Sequence, residues 1–323
     1  MSAVLYIDRH GVKVGASQGR LTLKTPNQPD QTLPLHQLEQ VIVLAHAHFS
    51  HDAISTLLKE GVPVIFSALR GGFRGSLSGH AGRQVMRRKR QFLAMDDPEG
   101  RLTVARALVQ AKLRGHGRLL RQWRLPGRHE IAAGLLASHH CGDLDTLRGY
   151  EGAAARAFFD GLRHHLEASP FHFEQRRQHP PPDPVNSVLS LTYTLLLNEV
   201  EVGVAATGLD AAAGFYHAAD DGRPTLLMDL VEPLRPLADR LSARLLTSEL
   251  TPDDFETEGD CCLLRDGRRG IVYQAWEQLL SGQVSWRGEK TAWRRLIHLQ
   301  ARELAHWLDG SISAPRFWHL DDS

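Results

Sequence analysis

Apolar and polar residues alternate through the first 24 positions. Val4 and Tyr6, Val12 and Val14, and Leu21 and Leu23 keep the two-residue period of strands with one buried face, with a Gly-containing turn before the last pair. They predict short strands and a hairpin. Leu38 to Leu44 (LEQVIVL) predicts another strand. His51 to Gly61 carries Ala53, Ile54, Leu57 and Leu58 at helical spacing, with Gly61 as its stop. Val62 to Phe66 predicts a buried strand, and Gly71, Gly72 and Gly75 break the chain behind it. From about Arg83 the period becomes 3.6. Val104 to Trp123, interrupted by Gly115 and Gly117, Ile131 to Leu136 and Leu147 to Leu166 predict helices. His179 to Pro184 (HPPPDP) is a connector, because prolines deny a helix its donors. Asp183 then caps a helix with Pro184 in its first position, running to about Thr207 and stopped by Gly208. Residues 249–260 hold six acids and no base, an expected exposed loop; Ala275 to Leu280 and Ala292 to Leu308 close the chain as helices. The expected class is α+β: a small β-rich, sandwich-like N-terminal domain over 1–80, then a larger all-α domain over 81–323.

The 323 residues and 36.0 kDa give room for two domains. A 42% hydrophobic and 23% charged composition excludes global disorder and a fibre. No run of apolar residues reaches the roughly 18 that a membrane span needs. Asp8 and Arg9 leave no apolar segment for a signal peptide. Three cysteines, Cys141, Cys261 and Cys262, form no spaced framework and fit a reducing, cytoplasmic setting.

Charge changes the picture through its distribution. The net is +1, yet residues 70–128 carry fifteen Lys and Arg against three acids, a net of +12 that leaves −11 for the rest. Arg outnumbers Lys 32 to 6, which suits phosphate recognition and also a GC-rich genome. Arg83, Arg87 and Arg90 share one helical face with Arg88 beside them, and Arg114, Arg118 and Arg121 repeat the stripe. Such stripes track phosphates rather than read bases.

Two other sets carry candidate chemistry. His46, His48 and His51 sit between a strand and a helix and resemble the HxHxDH zinc motif of metallo-β-lactamase-like hydrolases. Ser50 stands at the motif's carboxylate position, and Asp52 is out of register. The second set is dispersed: Glu151 near a helix start, His217 after a loop, and Asp229 and Glu232 three apart. Pro233 places those two acids at a helix start. Two acids among Leu and Met are costly without a cation; salt-bridge partners would meet that need as well as a metal.

These segments carry a resemblance. Gly149-Tyr-Glu151-Gly152 with Arg156, Asp183-Pro184-Val-Asn186, Gly214-Phe-Tyr-His217 and Asp229-Leu-Val-Glu232 follow one another as in the CRISPR-associated endonuclease and integrase family, the larger subunit of the spacer-acquisition complex. Leu5-Tyr-Ile-Asp8, Ile54 to Val64, Arg87 to Phe92 and Ala105 to Lys112 extend the likeness over nearly the whole chain. Ala153, where the family usually has Asn, and Gly115-His116-Gly117, where it has Asn-Gln, depart from it.

The resemblance implies a dimerising N-terminal domain and a helical catalytic domain. It implies double-stranded DNA as substrate, both captured protospacer and CRISPR repeat, with a homodimer, a small second subunit and no membrane. The 3′-hydroxyl of a captured fragment attacks the backbone at the repeat edge, and metal-dependent nuclease activity accompanies this. Glu151, His217 and Glu232 would hold Mg2+ or Mn2+, with Asp229 a fourth or outer ligand. Arg83, Arg87, Arg88, Arg114, Arg118, Arg121 and Arg235 would contact DNA, Arg235 being equally suited to a structural ion pair. The zinc hydrolase and a non-catalytic DNA-binding scaffold are the alternatives.

Overall fold

The computed structural model describes residues 3–67, 73–77, 79, 84–177, 180–217 and 222–320. The chain forms two compact units, 1–83 and 84–323.

The first unit holds β1 (Ala3–Ile7), β2 (Val12–Ser17), β3 (Arg20–Lys24), β4 (Gln31–Pro34), β5 (Leu38–Val43), β6 (Ala47–Phe49), α1 (His51–Lys59), β7 (Val64–Ser67) and β8 (Phe73–Leu77). Two four-stranded sheets form, in the orders β1-β5-β7-β8 and β4-β3-β2-β6. Ile7, Val41 and Val64 of one sheet and Val14, Leu21 and Leu23 of the other share one core with Leu57 of α1, the sandwich arrangement that two half-buried sheets require. The hairpin falls between β2 and β3, turned by Gln18 and Gly19, both at positive φ. Gly75 does not break the chain: it lies inside β8, paired with Phe66. Gly71 and Gly72 lie outside the described residues. The short strands β4 and β6 carry no alternation long enough to predict them.

The second unit holds α2 (Val85–Asp96), α3 (Pro98–Trp123), α4 (Arg128–Ser138), α5 (Leu144–His165), α6 (Pro184–Thr207), α7 (Thr225–Val231), α8 (Arg235–Ser248), β9 (Phe255–Glu258), β10 (Cys261–Leu264), α9 (Arg269–Ser281), β11 (Gln283–Trp286), β12 (Glu289–Ala292) and α10 (Trp293–Leu308). It is therefore mainly helical rather than all-α. The β9–β10 and β11–β12 hairpins interrupt it. The acidic segment 249–260 is correspondingly not one exposed loop. Phe255 and Asp254 are buried, and β9 pairs with β10 because Phe255, Cys262 and Leu264 supply an apolar face.

Helix ends follow local chemistry. Asp183 accepts from the Asn186 N–H at 2.8 Å, and Gly208 closes α6 at φ 71°. Asp97, with Pro98 behind it, starts α3 ahead of its apolar periodicity. Gly115 permits close packing instead of weakening α3: a Cβ there would stand 2.6 Å from the Pro236 ring. Helix α6 is long and apolar enough to cross a membrane by length and composition, contrary to the expectation from its sequence, and most of its length is buried among the other helices of its unit.

Candidate active site

The site forms where α3, α5, the loop after α6 and the α7–α8 junction meet. Glu151 lies inside α5 and not at its start. Asp229 ends up in the last turn of α7, and Glu232 opens a 3-10 turn, Glu232–Leu234, that leads into α8. Only Glu232 is at a helix start, as Pro233 requires.

Asp229 organises the loop. Its Oδ2 accepts the backbone N–H groups of Phe215 and Tyr216 at 2.5 and 2.9 Å, and Oδ1 accepts that of His217 at 2.9 Å. Consecutive N–H groups turned on one carboxylate form an anion nest. Gly214 makes this possible, since a Cβ there would meet the Thr225 carbonyl carbon at 2.7 Å and Asp229 Oδ2 at 2.9 Å. Oδ1 also lies 2.7 Å from His217 Nδ1. A carboxylate oxygen accepts, so this contact places a ring hydrogen on Nδ1 and, whenever the ring is neutral, leaves the lone pair on Nε2. Nε2 stands 4.0 Å from Glu232 Oε1. With its oxygens taken by four donors, Asp229 positions the imidazole.

Glu232 is buried. Its Oε1 accepts from Arg235 Nε at 2.8 Å. Its Oε2 lies 2.7 Å from Lys112 Nζ, at ion-pair distance, yet makes no aligned hydrogen bond. Lys112, on α3, also pairs with Glu151. Burial alone would raise the Glu232 pKa, but Arg235, Lys112 and His217 hold it well below the ordinary carboxylate range. Burial disfavours the Lys112 ammonium, and Glu232 and Glu151 outweigh that and raise its pKa. Tyr216 lies beside these groups. Burial first, then the charges of Glu151 and Glu232, push its phenol far above the usual range, so it stays protonated.

A second row of side chains backs the site. The Arg235 guanidinium stacks on Tyr193 at 4.5 Å. The Tyr193 hydroxyl donates to the buried Asp239, whose Oδ2 is 2.9 Å from His116 Nε2. Arg148 donates to the Tyr216 carbonyl at 2.8 Å.

Among the described residues, no three His, Cys, Asp or Glu side chains close into a finished metal cage. What stands at Glu151 and Glu232 is an ion-pair cluster centred on Lys112. The donor set nevertheless fits a hard divalent ion: two carboxylates, a buried carboxylate oxygen lacking a hydrogen bond, and an imidazole with its lone pair on the open nitrogen. A carboxylate behind the imidazole is the usual support of a ligating His.

The arginines divide. Arg87 donates to the Thr207 carbonyl and to Asp309, Arg88 to the Gly208 carbonyl, and Arg90 to Asp309. This face of α2 therefore holds the C-terminal end of α6, through an acid more than 200 residues away. Arg83 lies outside the described residues. Arg114 and Arg118 are half-buried and Arg121 is exposed along α3. Arg235 is committed to Glu232. The histidine cluster does not assemble. His46 and His48 are exposed around β6, and His51 opens α1, 92% exposed beside Asp52.

Residue-by-residue reading of the sequence missed the roles of Lys112, Tyr193, Asp239 and Arg148. Only Lys112 left a signal. It is a lysine in an arginine-rich stretch, on a run of Leu108, Val109, Ala111 and Leu113 that is otherwise apolar and buried.

Residues 5–278 match the family described as CRISPR associated protein Cas1. The chain belongs to the Cas1 family. A CRISPR-associated endonuclease Cas1 of Thermus thermophilus is 35% identical over 304 residues, covering 93% of this chain and 94% of that protein. A Cas4 exonuclease/Cas1 endonuclease fusion of Rhodospirillum rubrum is 33% identical over 332 residues; the match takes in 98% of this chain but spans only 57% of the fusion's length. Among solved structures, a casposase bound to integration product superposes with TM-score 0.86 at 22% identity, covering 100% of this chain and 94% of that one. A Thermotoga maritima CAS1 protein also gives 0.86, at 19% identity and 95% and 97% coverage. These superpositions show a shared Cas1 fold. The family and the dispersed histidines together overturn the zinc-hydrolase alternative.

Proposed function

We propose that this Cas1-family chain is a CRISPR integrase and DNA endonuclease that inserts captured fragments at the repeat. The observation that carries the proposal is the Asp229–His217 pair, which holds the imidazole by Nδ1 and turns Nε2 toward Glu232. Glu151, His217 and Glu232 would hold a divalent ion, Mg2+ or Mn2+, and Asp229 would be the outer residue that orients the imidazole. When bound, that ion supplies Lewis-acid polarisation of a phosphoryl oxygen and charge neutralisation. Lys112 leaves the carboxylates and turns toward the phosphate as a point charge. Tyr216, kept protonated, donates to a phosphate oxygen. Arg235 fixes the Glu232 rotamer.

In strand transfer, the 3′-oxygen of the fragment bonds to the scissile phosphorus. The bond from that phosphorus to the 3′-oxygen of the cut strand breaks; the attacking hydroxyl gives its proton to solvent, and the released 3′-oxygen takes one from solvent to become a free hydroxyl. With water as nucleophile the same exchange is hydrolysis. Arg114, Arg118 and Arg121 contact the duplex backbone. A T. thermophilus relative is named an endonuclease, and a structural neighbour is titled a Cas6-RT-Cas1–Cas2 complex, with TM-score 0.82 at 20% identity. The present chain works in the same manner with a small second subunit, as a homodimer joined through its β-rich unit, in the cytoplasm.

The test is strand transfer. A labelled duplex with free 3′-hydroxyls is mixed with a supercoiled plasmid bearing a repeat, in magnesium, manganese or chelator, with and without the small subunit. Label joins the plasmid only with metal, and not with Glu151→Ala. Binding without joining in every lane would establish the scaffold alternative instead.

A further inference from the structure

A second basic site lies within the helical unit, on groups that the chemistry above leaves unused. Helix α10 carries Arg295, His298, Arg302 and His306 along one stripe. They face Arg87 and the C-terminal turns of α6 across an open hollow of about 430 Å³. Gly203 makes the floor narrow: a Cβ there would stand 2.9 Å from the His298 Cα, so the backbones of α6 and α10 nearly touch.

The charge in this hollow is unbalanced. Among the described residues no acid lines it. Glu199 is engaged with Arg294 and His298, and Asp309 with Arg87 and Arg90. The carbonyls at the end of α6, which would repel an anion, are covered by Arg87 and Arg88. Arg295 and Arg302 are exposed.

We propose that this cleft is a second DNA-binding site, gripping the phosphate backbone of a duplex; the inference rests on the DNA-joining function proposed above. Its chemistry is guanidinium and imidazole, which recognise phosphate. Apart from the imidazoles no aromatic ring lines it, so it lacks the platform on which single-stranded bases stack. Arg295 and Arg302 are seven residues apart, roughly 10 Å along the helix axis, about the axial span of three base steps. Two or three phosphates of one strand fit that interval.

The test measures binding by the full chain to two duplexes, a fragment with 3′ overhangs and a CRISPR repeat, across a salt series. The variants are Arg295→Glu with Arg302→Glu, and Arg20→Glu in β3 as a surface control. The double variant is expected to lose at least tenfold in affinity for one or both duplexes, and its slope of log affinity against log salt falls by about two. The duplex that suffers names the source of the phosphate. Arg20→Glu leaves both unchanged, and thermal melting shows both variants folded. Unchanged affinity and slope on both duplexes would overturn the cleft alone. A loss confined to single strands, or seen only when the small subunit is present, would also overturn it. If the wild-type chain bound neither duplex, the DNA-joining function itself would fail.

Discussion

Two buried glutamates of the helical unit have nearly the same neighbours and, on the proposed function, opposite uses. Glu199 and Glu232 each meet an arginine and a histidine. At Glu199, His298 Nε2 comes to 3.3 Å and Arg294 Nε to 3.2 Å, and Arg294 is shared with Glu277 at 2.8 Å. Burial would raise the Glu199 pKa; His298 and Arg294 outweigh it. There the ring Nε2 and the guanidinium both turn onto the carboxylate. At Glu232 the imidazole is turned, because Asp229 takes Nδ1 and leaves Nε2 open. One carboxylate oxygen lacks a hydrogen bond, and a single lysine is shared between two carboxylates. A carboxylate, an arginine and a histidine are thus equally the ingredients of a structural cluster and of a reactive one. The second carboxylate and the orientation of the ring separate them.

The largest expected effect breaks this comparison directly. Glu232→Gln is expected to lower strand transfer by roughly a thousandfold while the protein still melts cooperatively. Glu199→Gln is expected to leave Arg294 with Glu277 alone and His298 without its carboxylate, costing about 1–3 kcal/mol of stability. Denaturant titration and initial joining rates read both variants, and equal rate losses in the two would erase the distinction. Next is Asp229→Asn. It keeps the shape, but its NH2 must face either the Phe215 and Tyr216 N–H groups or His217, so the loop and the imidazole are held less firmly, and metal affinity should fall about 10–100-fold, measured by Mn2+ titration followed by electron paramagnetic resonance.

Lys112→Met sharpens the comparison from the other side. It removes the cation that the two carboxylates share, so the metal-free protein should melt at a lower temperature. Mn2+ should bind more tightly, on the order of tenfold, and raise the melting temperature more than it does in the wild type. An unchanged Mn2+ affinity would mean that Lys112 does not compete for the site. The smallest effect lies at His116. Burial lowers its pKa, with Asp239 opposing, so the ring is neutral in the folded chain. The unfolded chain binds the extra proton first, so this contribution is full above about pH 6.5. It is lost as pH falls below that, at up to about 1.4 kcal/mol per pH unit. His116→Gln should flatten the stability profile in that window, as followed by urea midpoints from pH 7 downward.

Much of the architecture was legible from local chemistry. Asp183-Pro184 and Gly208 bound α6 because capping and φ preference act within a few residues. The hairpin pattern of Val12, Val14, Leu21 and Leu23 survives as strands for the same reason. The β9–β10 hairpin was not legible: its acids advertise an exposed loop, and only the packing of Phe255, Cys262 and Leu264 makes it a strand pair. The arginines of α2 look like a free phosphate-binding stripe because their acid, Asp309, is 222 residues from Arg87.

The same division holds at the site. By itself, the sequence determined the family, the boundaries of α6 and α10, and the presence of Glu151, His217, Asp229 and Glu232 in their motifs, since these depend on residue identity and near neighbours. Only the tertiary structure decided that Asp229 orients the imidazole, that Lys112 joins Glu151 to Glu232, and that Arg235 belongs to Glu232. Those contacts depend on how α3, α5 and the α7–α8 junction pack. Burial and the direction of a ring are properties of that packing, and neighbouring letters in the chain do not encode them.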